Sequence, residues 1–225
     1  MATPGAGAVG SVVDRWDLGS PVEQVGDERS NLFVLRPGRI VELSGEPGGG
    51  LTRLGYRMLV EPSRRSPVVV VDVRGWMSPA SAWEVGVEPH RLIVVRCSAV
   101  RSWLQVMAVL CEGVRAMVAE VPTGIRDHDL RRVAALVRSR RVGLALRPLE
   151  GSLPPGVAHL RVHGRGSAWS GPDRGHGRLQ TRRILFEVSG KGAGGVMRQM
   201  EVEESDANDV RVVPGLVVEE AGRAG

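Results

Sequence analysis

Between about residue 38 and residue 146 the chain alternates short unbroken apolar runs with longer segments whose apolar residues recur every three or four positions. Pro67-Val-Val-Val-Val-Asp72 is such a run, and its β-branched composition predicts a central parallel strand covered on both faces. Strands are also predicted at Leu92-Ile-Val-Val-Arg-Cys97, Ala116-Met-Val-Ala-Glu120 and Val142-Gly-Leu-Ala-Leu146. Leu51, Leu54, Met58 and Leu59 stand at near-helical spacing and predict a helix to about Val60 that Pro62 ends. Trp103, Met107, Leu110 and Val114 predict a second helix over Val100 to Val114. Leu130, Val133, Ala134 and Val137 predict a third, capped by Asp127 or Asp129.

From Val157 the helical spacing stops. Val157 to His163, Arg178 to Val188 and Met197 to Val202 alternate apolar with polar residues and predict antiparallel strands that extend the sheet. Ser167 to Gly177 reads as a glycine-rich linker whose tip presents Trp169, an indole that either stacks on a base or packs down. The whole is an α/β pattern: a mostly parallel central sheet flanked by helices, with antiparallel strands at its C-terminal end. Residues 1–30 read as a mobile lead-in, 31–213 as a single domain (31–150 core, 151–213 antiparallel extension) and 214–225 as a tail. At 225 residues the chain can bury one sizeable core.

Charge changes this picture only partly. A formal net charge of +5 and a pI near 10.4 suit a nucleic-acid or acidic-protein partner, yet no block of like charges is present. Of the 30 basic residues only Lys191 is a lysine, which reflects a GC-rich genome as much as a demand for arginine chemistry. The 2 cysteines, Cys97 and Cys111, make neither a disulfide framework nor a zinc motif, and none of the histidines has metal-ligand spacing, so no metal site is expected. Without a signal sequence or a long apolar stretch, the expectation is a soluble cytoplasmic protein that makes no membrane contact.

Three places carry candidate chemistry. The apolar strand before Ser44 runs into Gly45-Glu-Pro-Gly-Gly-Gly-Leu-Thr52, which follows the phosphate-loop pattern G-x-x-x-x-G-K-[ST] at Gly45, Gly50 and Thr52. Gly48 and Gly49 fill the turn, and Leu51 takes the lysine position; the alternative is a glycine-rich hairpin turn. Asp72 closes a parallel strand at the edge where α/β sites form, either as a site residue or as a cap of the next turn. Arg131, Arg132, Arg138, Arg140 and Arg141 make a cationic helix suited to DNA phosphate or an acidic partner, or simply a solvated face.

Gly38-Arg-Ile-Val-Glu-Leu-Ser-Gly45 closely resembles the strand and turn before the lysine in the ATP-binding loop of the bacterial recombinase RecA. The similarity runs to about Val213 and is weaker after Gly143. It implies a RecA-like core, with Arg74 where that family has its catalytic glutamate and Glu120 where an aspartate helps hold Mg²⁺. Arginine accepts no hydrogen bond and stays protonated, so it cannot orient an attacking water. Asp72, Arg74 and Glu120 are then vestigial site positions.

Among RecA relatives, a short chain with a damaged loop resembles the ImuA-type accessory proteins of bacterial mutagenic repair, especially the actinobacterial branch. That resemblance implies a non-catalytic partner, in DNA-damage-induced (SOS-type) translesion synthesis, of an inactive Y-family polymerase relative, ImuB, and an error-prone replicative-type polymerase. It also implies no cofactor, with ATP affinity at most weak. A monomer or hetero-complex is expected rather than a filament, because no N-terminal docking helix and no long second DNA-binding loop are evident. The apolar runs Val210 to Val213 and Leu216 to Val218 mark a docking segment or an edge strand of the chain's own sheet. The alternatives are an active RecA-type ATPase using Asp72 and Glu120, and a nucleic-acid-binding repair protein.

Overall fold

A computed structural model describes residues 34–171, 177–205 and 210–213. Its elements in chain order are β1 (Ile40–Gly45), α1 (Leu51–Ser63), β2 (Val68–Asp72), α2 (Pro79–Glu84), β3 (Leu92–Arg96), α3 (Val100–Gly113), β4 (Ala116–Val121) and α4 (Asp127–Arg140). They continue with β5 (Gly143–Pro148), β6 (Leu160–Ser170), β7 (Thr181–Ser189), β8 (Arg198–Ser205) and β9 (Val210–Val213). The strands form one nine-stranded sheet in the order β3-β2-β4-β5-β1-β6-β7-β8-β9. From β3 to β6 along that order neighbouring strands are parallel, and from β6 to β9 they are antiparallel. The molecule is thus α/β with a mostly parallel core and an antiparallel extension.

Sheet periodicity explains the layering. Alternate residues of a strand face opposite sides, so the unbroken Val68–Val71 run supplies both cores at once. Val68 and Val70 join Leu43, Leu54, Leu59, Ala82, Ile184 and Phe186 on the face covered by α1 and α2. Val69 and Val71 join Trp103, Met107, Met117, Val133 and Val137 under α3 and α4. Every residue of β2 and β4 is buried, including Asp72 and Glu120 at their carboxyl ends.

Four expectations are corrected in detail. The strand beginning near Val157 starts at Leu160 and is parallel to β1, becoming antiparallel only toward β7. The segment from Ser167 to Ser170 belongs to β6 rather than to a linker, while residues 172–176 lie outside the described residues. α1 runs through Pro62 to Ser63, because a proline in the last turn deprives only one carbonyl of its partner. α4 is capped at Arg126 without a side-chain bond, and Asp127 and Asp129 sit in its first turn, where the helix dipole favours acids. The run Val210–Val213 pairs with β8, so that part of the docking segment is an edge strand; Leu216 to Val218 lies outside the described residues.

Candidate functional site

The glycine loop is held tightly between its neighbours. Gly45 adopts φ +134°, and a Cβ there would fall 2.4 Å from the carbonyl oxygen of Gly164 on β6. β6 has a register irregularity between Gly164 and Gly166, which accommodates the loop's backbone. Gly50, at φ +72°, precedes α1 with Ile184 Cδ1 2.5 Å from where its Cβ would be. The Gly164 backbone leaves no room for a side chain at Gly45, and the left-handed backbone at Gly50 strains any residue other than glycine there.

Inside the loop, two backbone groups are engaged by the protein itself. The Gly49 N–H donates to the Glu46 carbonyl at 3.1 Å, so it does not point toward a ligand. The Gly48 carbonyl accepts from Arg182 on β7 and, at 3.4 Å, from Ser167. Arg182 also lies over the Trp169 ring, 5.3 Å from its centroid, so this indole has an intramolecular partner although it remains half exposed. Leu51 is 3% exposed and packs into the core on the α1 face. Its side chain therefore does not lie where a phosphate-clamping lysine would reach.

Thr52, the hydroxyl of the pattern, accepts a hydrogen bond from Arg147 Nη1 at 2.5 Å. Arg147 ends β5 directly across from Glu120 on β4, since Glu120 and Arg147 are paired in register. Burial, then the nearby charge of Arg74, holds the Arg147 guanidinium below its ordinary pKa range, with Glu120 acting in the opposite direction. Glu120 is fully buried, and both of its oxygens are used. One accepts from Nε of Arg74 at 2.9 Å and from Nη2 of the same residue. The other accepts the backbone N–H groups of Val73 at 3.0 Å and Arg74 at 3.1 Å.

Arg74 is therefore an ion-pair partner rather than a solvated turn residue. Its guanidinium is held between Glu120 and the exposed Trp76, whose ring centroid is 4.6 Å away. Asp72 has the cap geometry: Oδ1 accepts from Gly75 N at 2.8 Å and Trp76 N at 3.2 Å, and Oδ2 accepts from Met77 N at 3.2 Å. Arg96 approaches Oδ2 at 3.8 Å. Loop, Thr52, Asp72, Arg74 and Glu120 thus gather at one carboxyl edge of the sheet. Arg147 and Arg182 are what the sequence pattern misses. Arg147 could have been found by applying the strand-end rule to basic as well as acidic residues.

A Mg²⁺-nucleotide would need an open hydroxyl at Thr52, a carboxylate free to hold coordinated water, and a lysine on the phosphates. The residues present do not fit that group. Two guanidiniums stand around Glu120 and Thr52, and their charges oppose a divalent cation brought beside them. Among the described residues no group of three or more metal-ligating side chains is present elsewhere. Nor is any helix there long and apolar enough to cross a membrane.

The α4 arginines do not form one face. Arg131 lies 3.6 Å from Asp127 and Arg132 4.0 Å from Asp129, while Arg140 pairs with Glu112 on α3 at 3.0 Å. Arg138 and Arg141 sit at the far end, away from the glycine loop, with Arg141 in the left-handed conformation at φ 57°.

Beneath the loop, on α1, the phenol of Tyr56 is pushed up to about 12 by burial, then by the charges of Asp72 and Glu120. Burial pushes the Cys111 thiol up to about 11. Both folded-state values are raised, so the contribution of these groups to stability is complete below their unfolded values and is lost as pH rises through the folded ones. The urea midpoint should accordingly hold steady to about pH 9 and fall between about pH 9 and pH 12. A midpoint unchanged through that window would mean these side chains are solvated.

A family model described as the MT3502 N-terminal domain matches residues 32–148, which take in the glycine loop, Asp72, Arg74, Glu120 and Arg147. A comparison with curated proteins finds no match.

Proposed function

The chain belongs to the family of the MT3502 N-terminal domain, a family related to ImuA-like proteins, and on that footing we propose that it is a non-catalytic, RecA-like accessory protein of DNA-damage-induced translesion synthesis. It acts by contact with an ImuB-like Y-family protein and an error-prone polymerase, in the cytoplasm. The single observation that carries the non-catalytic part is that Arg74 and Arg147 hold Glu120 and Thr52, the groups a working loop keeps for Mg²⁺ and water. Support for the RecA-like part comes from the parallel core with its antiparallel extension and from the glycine loop leading into α1. The same contacts weigh against an active RecA-type ATPase.

The test is reconstitution with an ImuB-like protein. Size-exclusion chromatography should give a stable hetero-complex without nucleotide, and adding ATP with Mg²⁺ should leave its dissociation constant unchanged within about twofold. Since Val210–Val213 is a strand of the sheet, truncation should follow Val213. A chain ending there is expected to fold and lose the complex. A complex that forms only with ATP and Mg²⁺ would contradict the reading.

A further inference from the structure

At the end of the sheet opposite the glycine loop, cations from three separate segments meet beside a histidine. Arg36 and Arg39 precede β1, Arg138 and Arg141 close α4, His159 precedes β6, and Lys191 opens the short helical turn Lys191–Ala193 between β7 and β8. Contacts of the backbone fix their adjacency. The Gly38 N–H donates to the Val142 carbonyl at 2.9 Å, and a Cβ on Gly38 would lie 3.6 Å from the Cα of Arg138 and 3.8 Å from that of Arg141. The His159 N–H donates to the Ile40 carbonyl at 2.8 Å, and the Gly192 N–H to the His159 carbonyl at 2.9 Å. Arg36, Arg39, Arg138, Arg141 and Lys191 are all exposed.

Among the described residues, this rim is marked by cations of several segments converging with few carboxylates paired to them. Many arginines elsewhere meet carboxylates: Arg53 with Glu204, Arg64 and Arg65 with Glu61, Arg165 with Glu187, Arg183 with Glu201 and Glu203. Among the described residues Arg39, Arg138, Arg141 and Lys191 have no carboxylate partner, and Glu112 reaches only Arg140 at the rim's margin. Burial, then the charges of Arg39, Arg36 and Lys191, hold the His159 imidazole below the usual histidine range, a sign that the cations act on one spot. Complementing the helix dipole explains Arg138 in the last turn of α4, but Arg36, Arg39 and Lys191 belong to other segments.

We propose that this rim, built from Arg36, Arg39, Arg138, Arg141 and Lys191, binds the phosphodiester backbone of a nucleic acid. Discrete guanidiniums at a rim suit bidentate contacts to successive phosphates. An acidic protein is the weaker fit, because protein interfaces bring an apolar centre, whereas the residues between these cations are Pro37, Gly38, Ser139 and Gly192. Recognition would be independent of base sequence. The proposal stands apart from the accessory role, since it involves neither the glycine loop nor the docking of a partner.

The experiment measures fluorescence anisotropy of a labelled duplex and of its single strand with the full chain across a salt series. Wild type should bind both, with log affinity falling linearly against log salt. Combined Arg39→Ala, Arg138→Ala, Arg141→Ala and Lys191→Ala should cost more than about tenfold at low salt and flatten the duplex slope by about 3 to 4. Lysine at the three arginine positions should keep most of the affinity, which separates lost charge from lost folding. Arg131→Ala with Arg132→Ala, at the acid-paired end of α4, should change affinity less than about twofold. Absence of binding by wild type at low salt, or an unchanged slope in the quadruple variant, overturns the proposal. So does a wild type that captures an acidic peptide at the rim while ignoring both nucleic acids.

Discussion

Arg74→Leu is expected to destabilise the protein by about 3 kcal/mol, because removing the guanidinium leaves the buried Glu120 charge with only the backbone N–H groups of Val73 and Arg74. Glu120 is 0% exposed and Arg74 27%, so the pair is anchored in the interior with its cationic end toward Trp76. Arg74→Glu should be worse, since it sets a second carboxylate against the first; it cannot serve as a restored catalytic acid. Combined Arg74→Leu and Glu120→Leu should recover at least half of the loss, as apolar replacements of buried pairs often do. Urea denaturation of wild type, both single variants and the double variant gives the coupling directly. Additive losses would show that the two side chains do not act together, and the proposal of a non-catalytic site would lose its anchor.

Leu51→Lys carries the second large effect. In the motif alone the change restores a phosphate clamp, but residue 51 is 3% exposed among Leu54, Phe186 and their neighbours. Replacing a buried leucine by an ammonium group with no partner there should cost about 2–5 kcal/mol and give no ATP turnover. A variant as stable as wild type that hydrolyses ATP would mean that the side chain at 51 faces the phosphates and that Arg147 yields the site.

How much of this was legible beforehand depended on whether a feature lies within one stretch of chain. β2 and β4 were readable because an unbroken β-branched or apolar run can satisfy only a strand buried on both faces. Their terminal acids followed from the rule that parallel sheets place sites at carboxyl edges. The burial of Leu130, Val133, Ala134 and Val137 on α4 followed from spacing alone. Arg147 stayed hidden because its partners, Glu120 and Thr52, are brought to it by the β4–β5 register and by α1. Likewise, alternation in β6 reports which residues face each side but not the direction of the neighbouring strand, so its parallel pairing with β1 was not readable. The five α4 arginines looked alike in sequence, and only the positions of Asp127, Asp129 and Glu112 divide them into paired and unpaired members.

The roles of Arg74 and Arg147 make the central claim a chemical one: a glycine loop whose metal-binding and water-orienting positions are filled by the protein's own guanidiniums. Phosphate release by the purified full chain with ATP and Mg²⁺, in the presence and absence of single-stranded DNA, tests it most directly. Release should be indistinguishable from buffer under both conditions and unchanged by Thr52→Ala. Magnesium-dependent turnover by wild type that Thr52→Ala abolishes would contradict it.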